Sequence, residues 1–176
     1  MRCTVLLKHF LPDEHVKSVL DITPDELKTR GIKGIITDLD NTLVEWDRPQ
    51  APPQLVTWFE NMKNNHILVT IVSNNKENRV KSFSDPHKIP FIFRAKKPLG
   101  RAFHQAIKQM GITKEEAVVI GDQLLTDVFG GNRSGFHTIL VVPVAQTDGI
   151  ATKFNRFVER KILNWFRKKG MIQWKD

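Results

Sequence analysis

Cysteine is almost missing from this chain: Cys3 stands alone among 176 residues. That excludes an internal disulfide and a cysteine-built zinc site, and it fits a reducing compartment. Long apolar runs are missing too, and no stretch approaches the ~20 residues a membrane-spanning helix needs. The early apolar stretch Val5-Leu6-Leu7 yields to Lys8 too soon for a secretory signal, so a cytoplasmic location is expected. The six histidines are scattered without H-x-x-x-H spacing, and none is assigned a catalytic role. No internal repeat or low-complexity segment is visible. A content of 40% hydrophobic and 26% charged residues is that of an ordinary globular protein, and the length suits one well-cored domain.

Acidic residues are scarce at one end only. Of the net charge of +8, residues 150–176 hold +6, with eight lysines and arginines opposed only by Glu159 and Asp176. The expected organisation is therefore a domain over 1–149 followed by a basic amphipathic helix or tail over 150–176. Basicity confined to a tail argues against nucleic acid as the partner of the whole surface. In helical register, Ile150, Phe154, Phe157, Val158, Ile162, Trp165 and Phe166 form an apolar arc. Lys153, Arg156, Arg160 and Arg167 lie opposite, while Lys161 intrudes on the arc and Leu163 falls on the polar side. Aromatic residues flanked by lysines and arginines, Trp174 included, suit an anionic membrane interface. The alternative is a helix packed on the core with a solvated face.

Along the first part, short apolar runs alternate with helical patterns. Strands are expected at Gly34–Asp38, Ile67–Val72, Phe91–Phe93, Ala117–Gly121 and His137–Val142. Helices are expected over Pro52–Asn65, Asn75–Phe83, Leu99–Met110 and Leu124–Arg133. Thr23-Pro24-Asp25-Glu26 reads as a capped helix start stopped by Gly31, and Thr113-Lys114-Glu115-Glu116 as a capped single turn. Continuously apolar strands between helices predict an α/β fold, a three-layer doubly wound sheet of about five parallel strands. Ligands of such sheets bind at the carboxyl ends of the strands, where strand order reverses.

Four chemistry-bearing segments fall at that edge. Asp38-Leu39-Asp40-Asn41-Thr42 closes the first strand, Ser73-Asn74 follows the second, Lys97 follows the third, and Gly121-Asp122 ends the fourth. Carboxylates beside a core strand need a partner, and a divalent cation is the obvious one. With a metal offsetting the pair, one aspartate can attack phosphorus while the other moves a proton. Read singly, the aspartates could cap a turn and Ser73-Asn74-Asn75 could merely start a helix.

In this order and spacing, the sequence resembles the haloacid dehalogenase (HAD) superfamily of phosphatases. D-x-D-x-T is read in Asp38 to Thr42, the motif-two serine in Ser73, the motif-three lysine in Lys97, and the acidic motif in Gly121-Asp122-Gln123-Leu124-Leu125-Thr126-Asp127. Lys97 is preferred to Lys96 because it directly precedes Pro98, as in related members. The resemblance implies that Asp38 is the nucleophile and Asp40 the general acid and base. Ser73, Asn74, Thr42 and Lys97 would bind phosphate, with Lys97 also catalytic. Mg2+ would be held by Asp38, the carbonyl of Asp40, Asp122 and Asp127.

HAD phosphatases often carry a cap domain after the first or second motif. Only 34 residues separate Asp38 from Ser73, and 23 separate Ser73 from Lys97, so no cap domain fits. The whole chain is similar to YqeG-type, subfamily IIIA HAD phosphatases, a group similar to phosphatidylglycerophosphate phosphatases. That resemblance implies a lipid-headgroup phosphomonoester as substrate and a role in phosphatidylglycerol synthesis, and with the basic tail of 150–176 a peripheral place at the inner face of the membrane is the expectation. A soluble sugar phosphate, nucleotide or nucleic-acid end is the alternative substrate. A HAD scaffold serving as a protein-binding module is the alternative of another class.

Overall fold

The computed structural model describes residues 7–145 and 150–174, with side chains of 150–154 left aside. Cys3 and the side chains of Ile150, Lys153 and Phe154 thus lie outside the described residues. The elements run β1 (Glu14–Val16), α1 (Pro24–Thr29), β2 (Gly34–Thr37), α2 (Pro53–Asn64), β3 (Leu68–Val72), α3 (Glu77–Ser84) and β4 (Phe91–Ile92). Then follow α4 (Arg101–Met110), β5 (Ala117–Gly121), α5 (Phe129–Arg133), β6 (His137–Val141) and α6 (Ile150–Lys168). All six strands are parallel, in the order β1-β6-β5-β2-β3-β4.

The local signals act as their chemistry dictates. Thr23 accepts from the Glu26 amide and Glu26 reaches back to the Thr23 amide, closing the capping box of α1. Gly31 follows that helix at φ +72°, a left-handed conformation that costs glycine least. Thr113 and Glu116 cap a single tight turn before β5 in the same way. The sixth strand, β1, is an addition to the expected five. Its three residues, Glu14-His15-Val16, are half-buried and two of them are polar, so only pairing with Ile139–Val141 makes them a strand.

Alternation of side chains sorts the core into layers. Ile35, Ile71, Val118 and Ile120 face Leu55, Trp58, Phe59 and Met62 of α2 and Val80 and Phe83 of α3. Their neighbours Ile36, Val72 and Val119 face Ala102, Phe103 and Ala106 of α4 on the other side. β2 and β5 are buried throughout, as the central strands of a covered parallel sheet must be. No cap domain interrupts the sheet: Thr42 to Pro52 is a loop, and α2 returns the chain to β3. Leu124–Val128 forms a π-helical turn rather than opening a regular helix.

Helix α6 packs on the core. Leu163 and Phe166 join Leu124, Val128 and Leu140, backed by Ile172. Leu163, on the polar side of the expected helix, is therefore buried, whereas Phe157 of the apolar arc is half exposed. Phe166 is 0% exposed, so Phe166→Ala should lower the free energy of unfolding by about 3–5 kcal/mol. Phe157→Ala should change it by less than about 0.5 kcal/mol. Urea denaturation of the two variants checks the orientation of the helix.

Candidate active site

Where β2 and β5 end, side by side at the reversal of strand order, their last residues open into loops carrying carboxylates. Asp38, Asp122 and Asp127 are buried and bring one oxygen each within 4.8 Å of one another. Gly121 permits this crowding. A Cβ there would lie 2.2 Å from the Asp127 carboxyl carbon, so any larger residue would displace the cluster. The π-turn contributes as well: Asp127 and Val128 amides both donate to the Gln123 carbonyl oxygen, and the Gln123 amide donates back to Asp127 Oδ2 at 3.3 Å.

The Lys97 ammonium sits inside this group. It lies 2.8 Å from Asp38 Oδ1 and donates to Asp127 Oδ1 at 2.7 Å, with its side chain 2% exposed. Burial disfavours the charge, but Asp127 and then Asp38 outweigh it and hold the ammonium well above the usual lysine range. Asn74 secures the backbone of that lysine: its Nδ2 donates to the Lys97 carbonyl oxygen (3.2 Å), and the Lys97 amide donates to its Oδ1 (2.7 Å). Ala95 and Lys97 are buried while Lys96 is exposed, so only Lys97 reaches the carboxylates.

Burial pushes Asp122 up to about 6, against the pull of Arg156, and Asp127 up to about 7, against the pull of Lys97. Such desolvated carboxylates are short of positive charge, and an all-oxygen donor set of this kind fits a hard divalent cation. Thr42, a candidate phosphate ligand, donates its hydroxyl hydrogen to Asp122 Oδ1 at 2.7 Å. Ser73 is buried, and its hydroxyl oxygen accepts from the Asn75 amide at 3.1 Å.

The Asp40 carboxylate lies outside the three-carboxylate cluster. Asn75 Nδ2 donates to one of its oxygens (3.0 Å) and Arg79 Nε to the other (3.0 Å). Burial raises its pKa, with Asn75 opposing and Asp38 adding to the rise. Asn75 lies in the loop two residues before α3 and Arg79 in the first turn of that helix, and the two converge on one carboxylate. No spacing in the sequence marks them, because only the fold sets them opposite Asp40. Arg156 and Glu159 are the other residues sequence reasoning missed. Arg156 donates to the Asp122 carbonyl oxygen (2.6 Å), pairs with the Asp122 carboxylate, and meets Glu159 at 3.3 Å. Glu159 accepts from the Leu125 amide at 3.1 Å. Helix α6 thus reaches the acidic motif through an arginine that composition alone assigns to a solvated face.

Comparison with known proteins agrees with this geometry. A HAD-hydrolase-like family model matches residues 94–145. The probable phosphatase YqeG of Bacillus subtilis (strain 168) is 64% identical over 98% of this chain and 100% of its own length. The chain is a HAD phosphatase of the YqeG family. The chloroplastic/mitochondrial phosphatidylglycerophosphate phosphatase 1 of Arabidopsis thaliana is 30% identical over 90% of this HAD phosphatase, which spans about half (49%) of the plant protein. Among solved structures, the fold is shared with the cobalt-bound deoxy-D-mannose-octulosonate 8-phosphate phosphatase of Haemophilus influenzae (TM-score 0.56, 19% identity, 78% of this chain and 90% of that one). It is also shared with the Moraxella catarrhalis 3-deoxy-D-manno-octulosonate 8-phosphate phosphatase in complex with magnesium and phosphate ions and its sugar (TM-score 0.52, 17% identity, 80% and 91%).

Glu159 offers a test of the join between α6 and the site. Burial, opposed by Arg156, lifts its carboxyl from 4.5 to about 7. A carboxyl raised on folding contributes its full stability below its unfolded pKa and loses it as pH climbs through the folded one. Glu159→Gln removes the buried charge, so in metal-free buffer it should gain on the wild-type protein between about pH 5 and pH 8, by on the order of 1–3 kcal/mol. Urea unfolding at several pH values measures the difference; one that stays constant with pH would contradict the buried charge.

Proposed function

We propose that this HAD phosphatase is a magnesium-dependent phosphomonoesterase that acts through an aspartyl-phosphate and takes a lipid-headgroup phosphate, phosphatidylglycerophosphate above all. The observation that carries the reading is a buried Asp38–Lys97–Asp127–Asp122 cluster at an edge of the sheet that no cap domain covers. An uncovered site suits a phosphate already held at a surface. The similarity to the Arabidopsis phosphatidylglycerophosphate phosphatase supports the lipid substrate.

In this proposal Asp38 attacks phosphorus in line and the phosphoryl group passes to its carboxylate, breaking the bond to the alcohol oxygen. Asp40 gives the leaving oxygen a proton and then takes one from the water that cleaves the acyl-phosphate. Arg79 and Asn75 hold Asp40 in place for both transfers. Ser73 and the Asn74 amide hydrogen-bond the phosphoryl oxygens, and Lys97 offsets the charge of two anions brought together. Thr42 fixes Asp122. Asp38, Asp122, Asp127 and the Asp40 carbonyl would hold Mg2+, which when bound would supply Lewis-acid polarisation of the phosphoryl oxygens.

Among the described residues, no helix is long and apolar enough to cross a membrane. We place the protein in the cytoplasm, working at the inner membrane face, with residues 150–176 supplying basic contacts to anionic lipid. Phosphate release with magnesium should be faster from phosphatidylglycerophosphate in anionic vesicles than from soluble sugar phosphates or nucleotides. Asp38→Asn should lower release by at least about three orders of magnitude while the far-ultraviolet circular dichroism stays unchanged. Preference for a soluble phosphomonoester would replace the substrate, and substantial turnover by Asp38→Asn would remove the nucleophile.

A further inference from the structure

Seven large apolar side chains are exposed among the described residues, and four belong to segments that border the active site. Trp46 is 46% exposed, Leu99 56%, Val144 48% and Phe157 50%. The Trp46 amide donates to Asn41 Oδ1 at 3.3 Å, and the Val144 amide to the Asn41 carbonyl oxygen at 2.8 Å, so both lean on the loop that carries Asp38 and Asp40. Leu99 lies two residues beyond Lys97. Phe157 follows Arg156, the residue that reaches Asp122. Exposed apolar residues scattered singly need no explanation, but a group bordering one charged site does.

The same border is basic. Lys76 precedes α3 and Arg101 opens α4, and helix starts in a parallel sheet lie at the carboxyl ends of the strands. Between them, Arg94 and Lys96 adopt left-handed backbone conformations at φ 46° and 55°, uncommon for residues with side chains. With Ala95 and Lys97 buried, this backbone leaves both Arg94 and Lys96 exposed. The Lys161 ammonium sits 4.5 Å from the centre of the exposed Phe157 ring. Among the described residues of these segments, only Asp47 and Glu77 are exposed acids.

We infer that this rim is a docking surface for an anionic lipid bilayer, with the active-site edge turned toward the membrane. Trp46, Leu99 and Phe157 enter the interfacial layer, Trp46 with an aromatic ring whose N–H suits the headgroup level and Leu99 and Phe157 as apolar anchors. Lys76, Arg94, Lys96 and Lys161 meet the headgroups. Attachment is shallow, through side chains on loops and one helix, and it aims the uncovered cluster at phosphates of the leaflet. The inference deepens the lipid-phosphate reading and rests on it for the presence of a substrate in that leaflet. A protein partner would need shape complementarity across the rim, whereas five exposed lysines and arginines (Lys76, Arg94, Lys96, Arg101 and Lys161) over four apolar side chains match a charged fluid surface.

Cosedimentation of the full chain with phosphatidylglycerol/phosphatidylcholine vesicles tests the surface. Wild-type protein should bind these vesicles and bind pure phosphatidylcholine vesicles far less. The triple variant Trp46→Ser, Leu99→Ser, Phe157→Ser should bind at least about tenfold more weakly. Its turnover of para-nitrophenyl phosphate should match wild type, which shows that it folds. Should the triple variant lose that turnover, Lys76→Gln with Lys96→Gln decides instead, with an expected loss of about threefold or more. Unchanged vesicle binding by the folded variant, or no wild-type preference for anionic vesicles, overturns the inference. Phosphate release from phosphatidylglycerophosphate in neutral detergent micelles tests the substrate separately. Release in micelles with rim-independent vesicle binding overturns the docking alone; rim-dependent binding without release overturns the substrate reading alone.

Discussion

One buried ammonium holds this site together. Lys97 stands 2.8 Å from Asp38, directly after β2, and 2.7 Å from Asp127, in the π-turn that follows β5. Removing two acids from water beside the core is strongly unfavourable unless a positive charge goes with them. The lysine meets that requirement, and much else follows from keeping it there. The Asn74 amide clamps its backbone, Gly121 leaves room for Asp127, and the π-turn aims Asp127 back across the cluster. Asp122 is served by a different cation, Arg156, delivered by α6.

That division of charge explains the split behaviour of the carboxy-terminal helix. Its inner side carries Leu163 and Phe166 into a core with Leu124 and Leu140, and one and two turns earlier it sets Glu159 and Arg156 against the acidic motif. Its outer side keeps Arg160, Lys161 and Phe157 in contact with solvent. Packing and surface charge are thus two faces of one element. The helix is as much a wall of the phosphatase site as a basic appendage.

The fold was legible because its signals are local. Buried strands such as Val118-Val119-Ile120 read as apolar runs, and capping residues such as Thr23 and Glu26 mark a helix start whatever surrounds them. The aspartates, Ser73 and Lys97 were legible for a related reason, since charged or hydroxyl residues at strand ends stand out from the runs before them. β1 was not, because Glu14-His15-Val16 has no apolar pattern and becomes a strand only beside β6. Arg79, Arg156 and Glu159 were hidden as ordinary charges on helices; their roles come from what the tertiary structure sets opposite them. Leu163 was misplaced because an apolar arc read over the whole helix averages two different environments, core and solvent.

The dependence of the site on one cation can be measured directly with Lys97→Met, which keeps the length of the side chain and removes its charge. Urea unfolding of this variant in metal-free buffer at pH 8 should show a loss on the order of 3–5 kcal/mol, the penalty of leaving buried carboxylates without their partner. Burial raises the Asp127 carboxyl to about 7, so lowering the pH toward 5 protonates it and should restore much of the lost stability. A variant as stable as wild-type protein at pH 8, or one whose deficit does not change with pH, would contradict the account.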